Sequence, residues 1–309
     1  MANRKPIVVV GSINIDLVAR AQRIPVAGET IAGLDFQTHP GGKGANQAVA
    51  VARLGYPVNM IGRTGDDAFG RQLREGLLKA GIDVSAVGVS EGSSGVAVII
   101  VSPSGENVIV VTPGANGLVT PSDIDANIDM IRHAGLVLTQ LEIPLATVEH
   151  LASVCAREGV PMMLDPAPAC ELPPLVLAQT RWFTPNETEA SFYLSTSSPL
   201  DSPEQIAESL LALGPGAVVL KLGARGVYLG DRNGLAQQIE GFRVDAVDTT
   251  AAGDAFNGSF AAALMLGKTP EESARFATAA AAISVTRAGA QSSMPTLSEV
   301  DQLLKGTGS

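Results

Sequence analysis

The sequence predicts an α/β fold: a mainly parallel sheet with helices on both faces, plus a small appended β-sheet. Three observations predict it. Short apolar runs alternate with helical patterns along most of the 309 residues, as repeated βα units require. Aromatic residues make up only 4% while alanine, glycine and valine abound, and small side chains let helices lie close on a sheet. Two stretches, 13–40 and 93–113, read as strands with no helix inside them, and such pieces can pair into a separate sheet. At 46% hydrophobic and 17% charged, the chain has apolar content for a substantial core, in one large domain or two modest ones.

The elements follow in order. "IVVVGS" (7–12) is short, apolar and closed by glycine, as expected of a strand buried on both faces. "GANQAVAVARLG" is helical, with Gly55 as its stop. "VNMIG" is a strand, and "DDAFGRQLREGLLKAG" is an amphipathic helix with two acids at its start and Gly81 at its end. In 93–113 two apolar runs flank Pro103, Ser104 and Gly105, which predicts a hairpin. "LVLTQLE" (136–142), "PMMLDPAP" (161–168), "WFTPN" (182–186) and "AVVLKLG" (217–223) read as strands. Helical patterns at about 144–158, 172–179, 187–193 and 203–213 separate them, and further helices cover about 253–266, 270–287 and 297–304. Ligands of such a sheet bind at the carboxyl ends of its strands, where Asn14, Asp16, Glu142, Asp165 and Asn186 collect.

Composition removes several function classes. The net charge is −10 and no basic run occurs, so duplex nucleic acid is excluded as a partner. Cys155 and Cys170 have no metal-ligand spacing and make no disulfide framework; both read as idle thiols. The apolar run near the start is too short for a signal peptide or a membrane span, which predicts a cytoplasmic protein without membrane contact.

Two stretches carry chemistry. "DTTAAGDAFNG" (248–258) sets two carboxylates six residues apart before a helix rich in alanine. Small residues at Ala251, Ala252 and Gly253 leave backbone amides open at a helix start, where the dipole adds partial positive charge; that is a cradle for phosphate. Asp254 beside it is either a helix cap or a base that holds an attacking hydroxyl. "HPGGKGANQAVA" (39–50) reads either as a strand-to-helix turn with glycines at positive φ or as part of a site. It is neither a Walker loop nor a dinucleotide fingerprint, which removes most support for a nicotinamide dehydrogenase.

Together these stretches resemble the N- and C-terminal signatures of the ribokinase-type family of carbohydrate kinases. "GSINID", "TQLEIP", "DPAPA", "TPNETE", "LGARG" and "AGAQSSMP" also match, in order, over essentially the whole chain. The resemblance implies a single ribokinase-like domain over 1–309, with lid strands drawn from about 13–40 and 93–113 and a homodimer formed through the lid. It implies ATP-dependent phosphorylation of a small sugar with Mg²⁺ and K⁺. D-ribose, at O5, is the first expectation. Deoxyribose, fructose or adenosine kinases are alternatives, and a non-catalytic sugar sensor is another class.

Roles carry over residue by residue. Asp254 resembles the family's base, and Ala251, Ala252, Gly253 and Asp254 its anion hole. Asn14, Asp16, Gly42, Lys43, Asn46 and Glu142 match sugar-binding positions. Asn186 and Glu189 match an N-x-x-E tied to phosphates and magnesium, though the same pattern also caps a short helix. Gly223, Gly226, Gly253 and Thr278 match the nucleotide side, as does Lys221, where the family often has threonine and the role is open. Asp248, Thr250, Ser284, Arg287, Gly289 and Ser293 match a potassium site made mostly of carbonyls; the alternative for Asp248 is a cap or salt bridge. Asp165 stands where ribokinases often carry asparagine, and Ala251 where many family members carry glycine.

Overall fold

The computed structural model describes residues 4–195 and 202–306; the domain expected over 1–309 therefore includes ends and a short internal stretch outside the described residues. The chain opens with β1 (Ile7–Val10), β2 (Asn14–Ala21), β3 (Gly33–Gly41), α1 (Lys43–Arg53), β4 (Val58–Gly65), α2 (Ala68–Lys79) and β5 (Asp83–Ser90). The hairpin β6 (Gly95–Val101) and β7 (Asn107–Thr112) precedes two short helices, α3 (Pro121–Ala126) and α4 (Ile128–Arg132). Then come β8 (Leu136–Thr139), α5 (Leu145–Glu158), β9 (Met162–Leu164), α6 (Pro174–Gln179), β10 (Trp182–Phe183), α7 (Glu187–Tyr193), α8 (Pro203–Ala212) and β11 (Ala217–Lys221). An antiparallel edge of β12 (Val227–Asp231) and β13 (Ala236–Ile239) leads into α9 (Ala252–Met265), α10 (Pro270–Ser284) and α11 (Leu297–Gly306).

A nine-stranded sheet has the order β13-β12-β11-β10-β9-β8-β1-β4-β5. The run from β11 to β5 is parallel; β12 pairs antiparallel with β11, and β13 antiparallel with β12. Side chains alternate through β1: Ile7 and Val9 pack toward α1, α9 and α10, whereas Val8 and Val10 pack toward α5 and its neighbours. Both faces are therefore covered, which is why β1 reads as a continuous apolar run.

The second sheet has the order β3-β2-β6-β7, so the two strand-rich stretches do pair, through the parallel register of β2 with β6. On β7 every residue is exposed, and Val108, Ile109, Val110 and Val111 join Leu34, Phe36 and Val98 in leaving apolar surface uncovered.

Differences from the sequence reading lie mostly at strand ends. The strands expected to reach 168 and 186 stop at Leu164 and Phe183. Beyond them the chain leaves the ladder and its polar side chains turn into the cleft, Asn186 keeping only a single bridge to Lys221. The helix expected to 287 ends at Ser284, and the next carbonyl, that of Val285, accepts from the amides of Val247 and Asp248 in the segment before α9.

One contact between helices fixes the site. α9 is buried nearly all round, and Gly258 lets it press on α1: a Cβ there would lie 2.6 Å from the Gln47 carbonyl and 2.7 Å from the Ala50 Cβ. That approach brings the first turn of α9 against Asn46 and Gln47 of α1.

Candidate active site

The start of α1 is built by close approach. At Gly42, φ is 88° and a Cβ would fall 2.7 Å from the Asn14 amide, so no larger residue fits there. A Cβ on Gly41 would lie 2.3 Å from the Asp16 carboxylate, and one on Gly44 would strike the backbone of Gly11 and Ser12. The glycines thus seat the α1 terminus against the ends of β1 and β2.

Glu142 lies just beyond β8. Its Oε2 accepts from the Ser12 hydroxyl and from the Lys43 amide at 3.1 Å, which holds an acid at the positive end of α1. Asn14 is fixed by the buried Asn116, whose Nδ2 donates to its Oδ1 at 2.6 Å and whose Oδ1 accepts from the Ile13 amide at 2.9 Å. Asp16 faces the same space. Burial first, then the charges of Glu142 and Asp254, push its carboxyl up to about 6.

Asp254 sits in the first turn of α9, only 4% exposed. Asn46 Nδ2 donates to its Oδ2 at 2.9 Å and Gln47 Nε2 to its Oδ1 at 3.0 Å. Burial raises its pKa, the Lys43 ammonium lowers it, and the Asp165 charge raises it; the net direction is upward. Lys43 loses by burial and gains more from Asp254, Asp165, Glu142 and Glu189, so it stays firmly protonated. The Oδ1 of Asn46 is buried with no hydrogen-bond partner among the described residues.

The helix start behind Asp254 is open. Ala251 takes φ 58° as N-cap, a left-handed conformation that costs a non-glycine residue, which explains the glycine common there in the family. The Ala252 amide donates to the Thr249 carbonyl at 3.2 Å, and the first helical bond is Ala255 to Ala251 at 2.8 Å. The amides of Gly253 and Asp254 in between make no hydrogen bond among the described residues.

From Lys43 and Asp254 a cleft of about 650 Å³ extends along the sheet edge, within the range of small-ligand sites. It is lined by Asn186, Glu189, Gly223, Gly226 and Thr278, as the sequence predicts, and also by Phe242, Val244 and Val285. Asn186 and Glu189 form a complete capping box on α7, so both readings of that motif hold at once: they cap, and they face the cleft. A smaller hollow of about 420 Å³ near Leu172 and Tyr193 holds none of the predicted site residues.

Lys221 and Asp165, the two departures from the family pattern on this side, meet: Nζ donates to Asp165 Oδ1 at 2.9 Å. The other oxygen, Oδ2, accepts from Gln47 Nε2 at 2.9 Å, while Gln47 Oε1 accepts from Gln140 at 2.6 Å. Gln47 and Gln140 were not singled out from sequence. The only signal was their neighbourhood, one residue after Asn46 and two before Glu142.

Of the six residues expected at an ion site, Asp248, Thr250 and Gly289 are joined by hydrogen bonds just before α9. Asp248 Oδ1 accepts from the Thr250 amide and Oδ2 from the Gly289 amide, both at 2.9 Å. Those bonds outweigh burial and hold its carboxyl below the usual range. The hydroxyls of Ser284 and Ser293 donate to carbonyls three residues back, and the Arg287 guanidinium pairs with Glu299. What this loop offers is oxygen: carbonyls and one carboxylate, a set suited to a hard cation. Among the described residues no group of three or more His, Cys, Asp or Glu could hold a metal by itself, and no helix is long and apolar enough to cross a membrane.

The model of the pfkB family carbohydrate kinases matches residues 4–297. A ribokinase of Schizosaccharomyces pombe is 44% identical over 306 residues, covering 96% of both chains. One from Bacillus subtilis is 42% identical over 301 residues, covering 96% of this chain and 99% of its own. The solved structure of Arabidopsis thaliana ribokinase complexed with ribose and ATP superposes with a TM-score of 0.91 at 37% identity, covering 98% of this chain and 99% of that one.

Proposed function

This chain belongs to the pfkB family of carbohydrate kinases, and from that premise we propose that it transfers the γ-phosphoryl group of ATP to O5 of D-ribose, giving ribose 5-phosphate and ADP. One observation carries the reading: a buried carboxylate, Asp254, stands at the seam between an acceptor-rich pocket and two open amides at a helix mouth.

The sugar lies against Asn14, Asp16, Gly42, Lys43, Asn46 and Glu142. Carboxylates and amides there pair with its hydroxyls, and an analogue lacking one leaves a buried polar group unpaired. Asp254 holds the O5 hydroxyl in line and accepts its proton as the bond to phosphorus forms. The transition state is loose, so positioning matters more than strong basicity. The amides of Gly253 and Asp254, at the positive end of α9, take up charge on the moving phosphoryl oxygens. ATP lies along the cleft past Gly223, Gly226 and Thr278.

Asn186 and Glu189, which line the cleft, would hold Mg²⁺ on the phosphate side, where it would supply charge neutralisation to the triphosphate. K⁺ suits the oxygen set around Asp248, which is hydrogen-bonded to the loop that shapes the anion hole. The bare apolar face of β7 supports a homodimer formed sheet to sheet. Val110→Lys should then sediment as a monomer; a dimer that survives it lies elsewhere. The chain works in the cytoplasm.

The test is a panel of sugars and nucleosides in a coupled ADP-release assay, with K⁺ or Na⁺ as the sole monovalent ion. Ribose should give the highest kcat/KM, and more in K⁺. Better turnover of deoxyribose, fructose or adenosine would overturn the substrate, and equal rates in both salts would remove the ion.

A further inference from the structure

The Asp165–Lys221 pair is buried, its side chains 2% and 13% exposed. A buried ion pair is costly to desolvate and often adds nothing to stability over an apolar pair of similar size. Its position matters more. An ammonium has three donors; Lys221 spends one on Asp165 Oδ1, and no second acceptor is found among the described residues. The ammonium lines the cleft, 3.6 Å from where a Cβ on Gly253 would stand, and the amides of Gly253 and of its neighbour Asp254 are unpaired. Two amides without an acceptor and an ammonium with donors to spare thus lie on the same side of the cleft.

Asp165 is itself held from behind. Gln47 Nε2 has two hydrogens and shares them between Asp165 Oδ2 and Asp254 Oδ1, and Gln140 fixes the other end of the amide. The chain Gln140–Gln47–Asp165–Lys221 therefore sets the ammonium at a fixed place relative to the base.

We propose that Lys221 is a catalytic phosphate clamp, its ammonium closing on the γ-phosphoryl group beside the α9 amides, and that Asp165 is the positioning residue that aims it. This rests on the kinase reading above. Lys221 moves no proton and forms no covalent bond; its work is to meet negative charge that grows on the transferred group.

Four proteins test it: the unaltered enzyme, Lys221→Met, Asp165→Asn, and Lys221→Thr with Asp165→Asn. Lys221→Met should lower kcat about 100-fold or more, as loss of one transition-state donor does. Its affinity for a non-hydrolysable triphosphate, measured by calorimetry, should fall about tenfold or more, while that for the nucleoside monophosphate and the KM for sugar stay within about twofold. Asp165→Asn should cost less in kcat, and nothing further once Lys221 is gone. The double variant carries no buried lone charge, so it reports even if Lys221→Met folds poorly, and it should remain slow. Recovery of the double variant to near the unaltered kcat would make the pair structural and end the proposal. Equal losses of triphosphate and monophosphate affinity would end it too. Calorimetry needs no sugar, so a wrong sugar assignment leaves this test intact, and absence of ribose turnover in the unaltered enzyme counts against the substrate alone.

Discussion

At one end of the cleft the charges of Glu142 and Asp254 act both on Asp16 and on the Lys43 ammonium; at the other, the Lys221 ammonium and two bare amides stand with Asp165 paired to the lysine. The contrast follows the chemistry of the two ligands. A sugar offers hydroxyls, which need acceptors as well as donors; a phosphate offers only acceptors and charge. The acid-rich end tolerates its own repulsion because backbone amides and Lys43 offset part of it. Asp254 stands where the two ends join and belongs to both.

The sharpest way to break this comparison is at that seam. Asp254→Asn should lower kcat by about 10³-fold, within the range for loss of a positioned base, while the KM for ribose changes only a few-fold. A variant within tenfold of the parent would strip Asp254 of its role. One step smaller, Asp16→Asn should raise the KM for ribose by roughly 30-fold, about 2 kcal/mol for a charged hydrogen-bond acceptor, and leave the KM for ATP alone. A matching rise for ATP would show that the ends do not act separately.

Acidity probes the same residue. With its carboxyl at about 6, Asp16 gains a proton as pH falls through that value and loses acceptor capacity. The KM for ribose should therefore climb below about pH 6, approaching tenfold per pH unit by simple titration, and Asp16→Asn should flatten that limb. If the limb persists in the variant, another group titrates. The smallest effect concerns Ala251. Ala251→Gly relieves its left-handed strain and should stabilise the fold by about 0.5–1 kcal/mol, read as a rise in Tm. A fall in Tm would mean that the loop gains more from the alanine than the strain costs.

Much of this was legible in the chain. The α9 start could be read because its features are local: small residues, a carboxylate and a helix pattern within eleven positions. β1, the hairpin and the amphipathic α2 announced themselves by periodicity. Gln47 did not, since its meaning depends on Asp165 and Asp254, 118 and 207 residues away, which only the packing of α1 on α9 and on the end of β9 brings within reach. Lys221 was visible as a departure, yet nothing in the sequence told that its partner was the other departure. β13 escaped for another reason: it is mostly exposed and polar, and carries no apolar signal.

Asn14 is the first residue of β2, and only three residues separate that strand from β1. The carboxylate of Asp16 rides on the same strand, and Asn116 pins the junction from the far side of the hairpin. Any rotation of the minor sheet away from the major one must carry Asn14 and Asp16 with it. With the sugar contacts proposed for these two residues, recognition and enclosure would be mechanically one act, and a sugar too poor to grip this strand would also fail to shut the door on water.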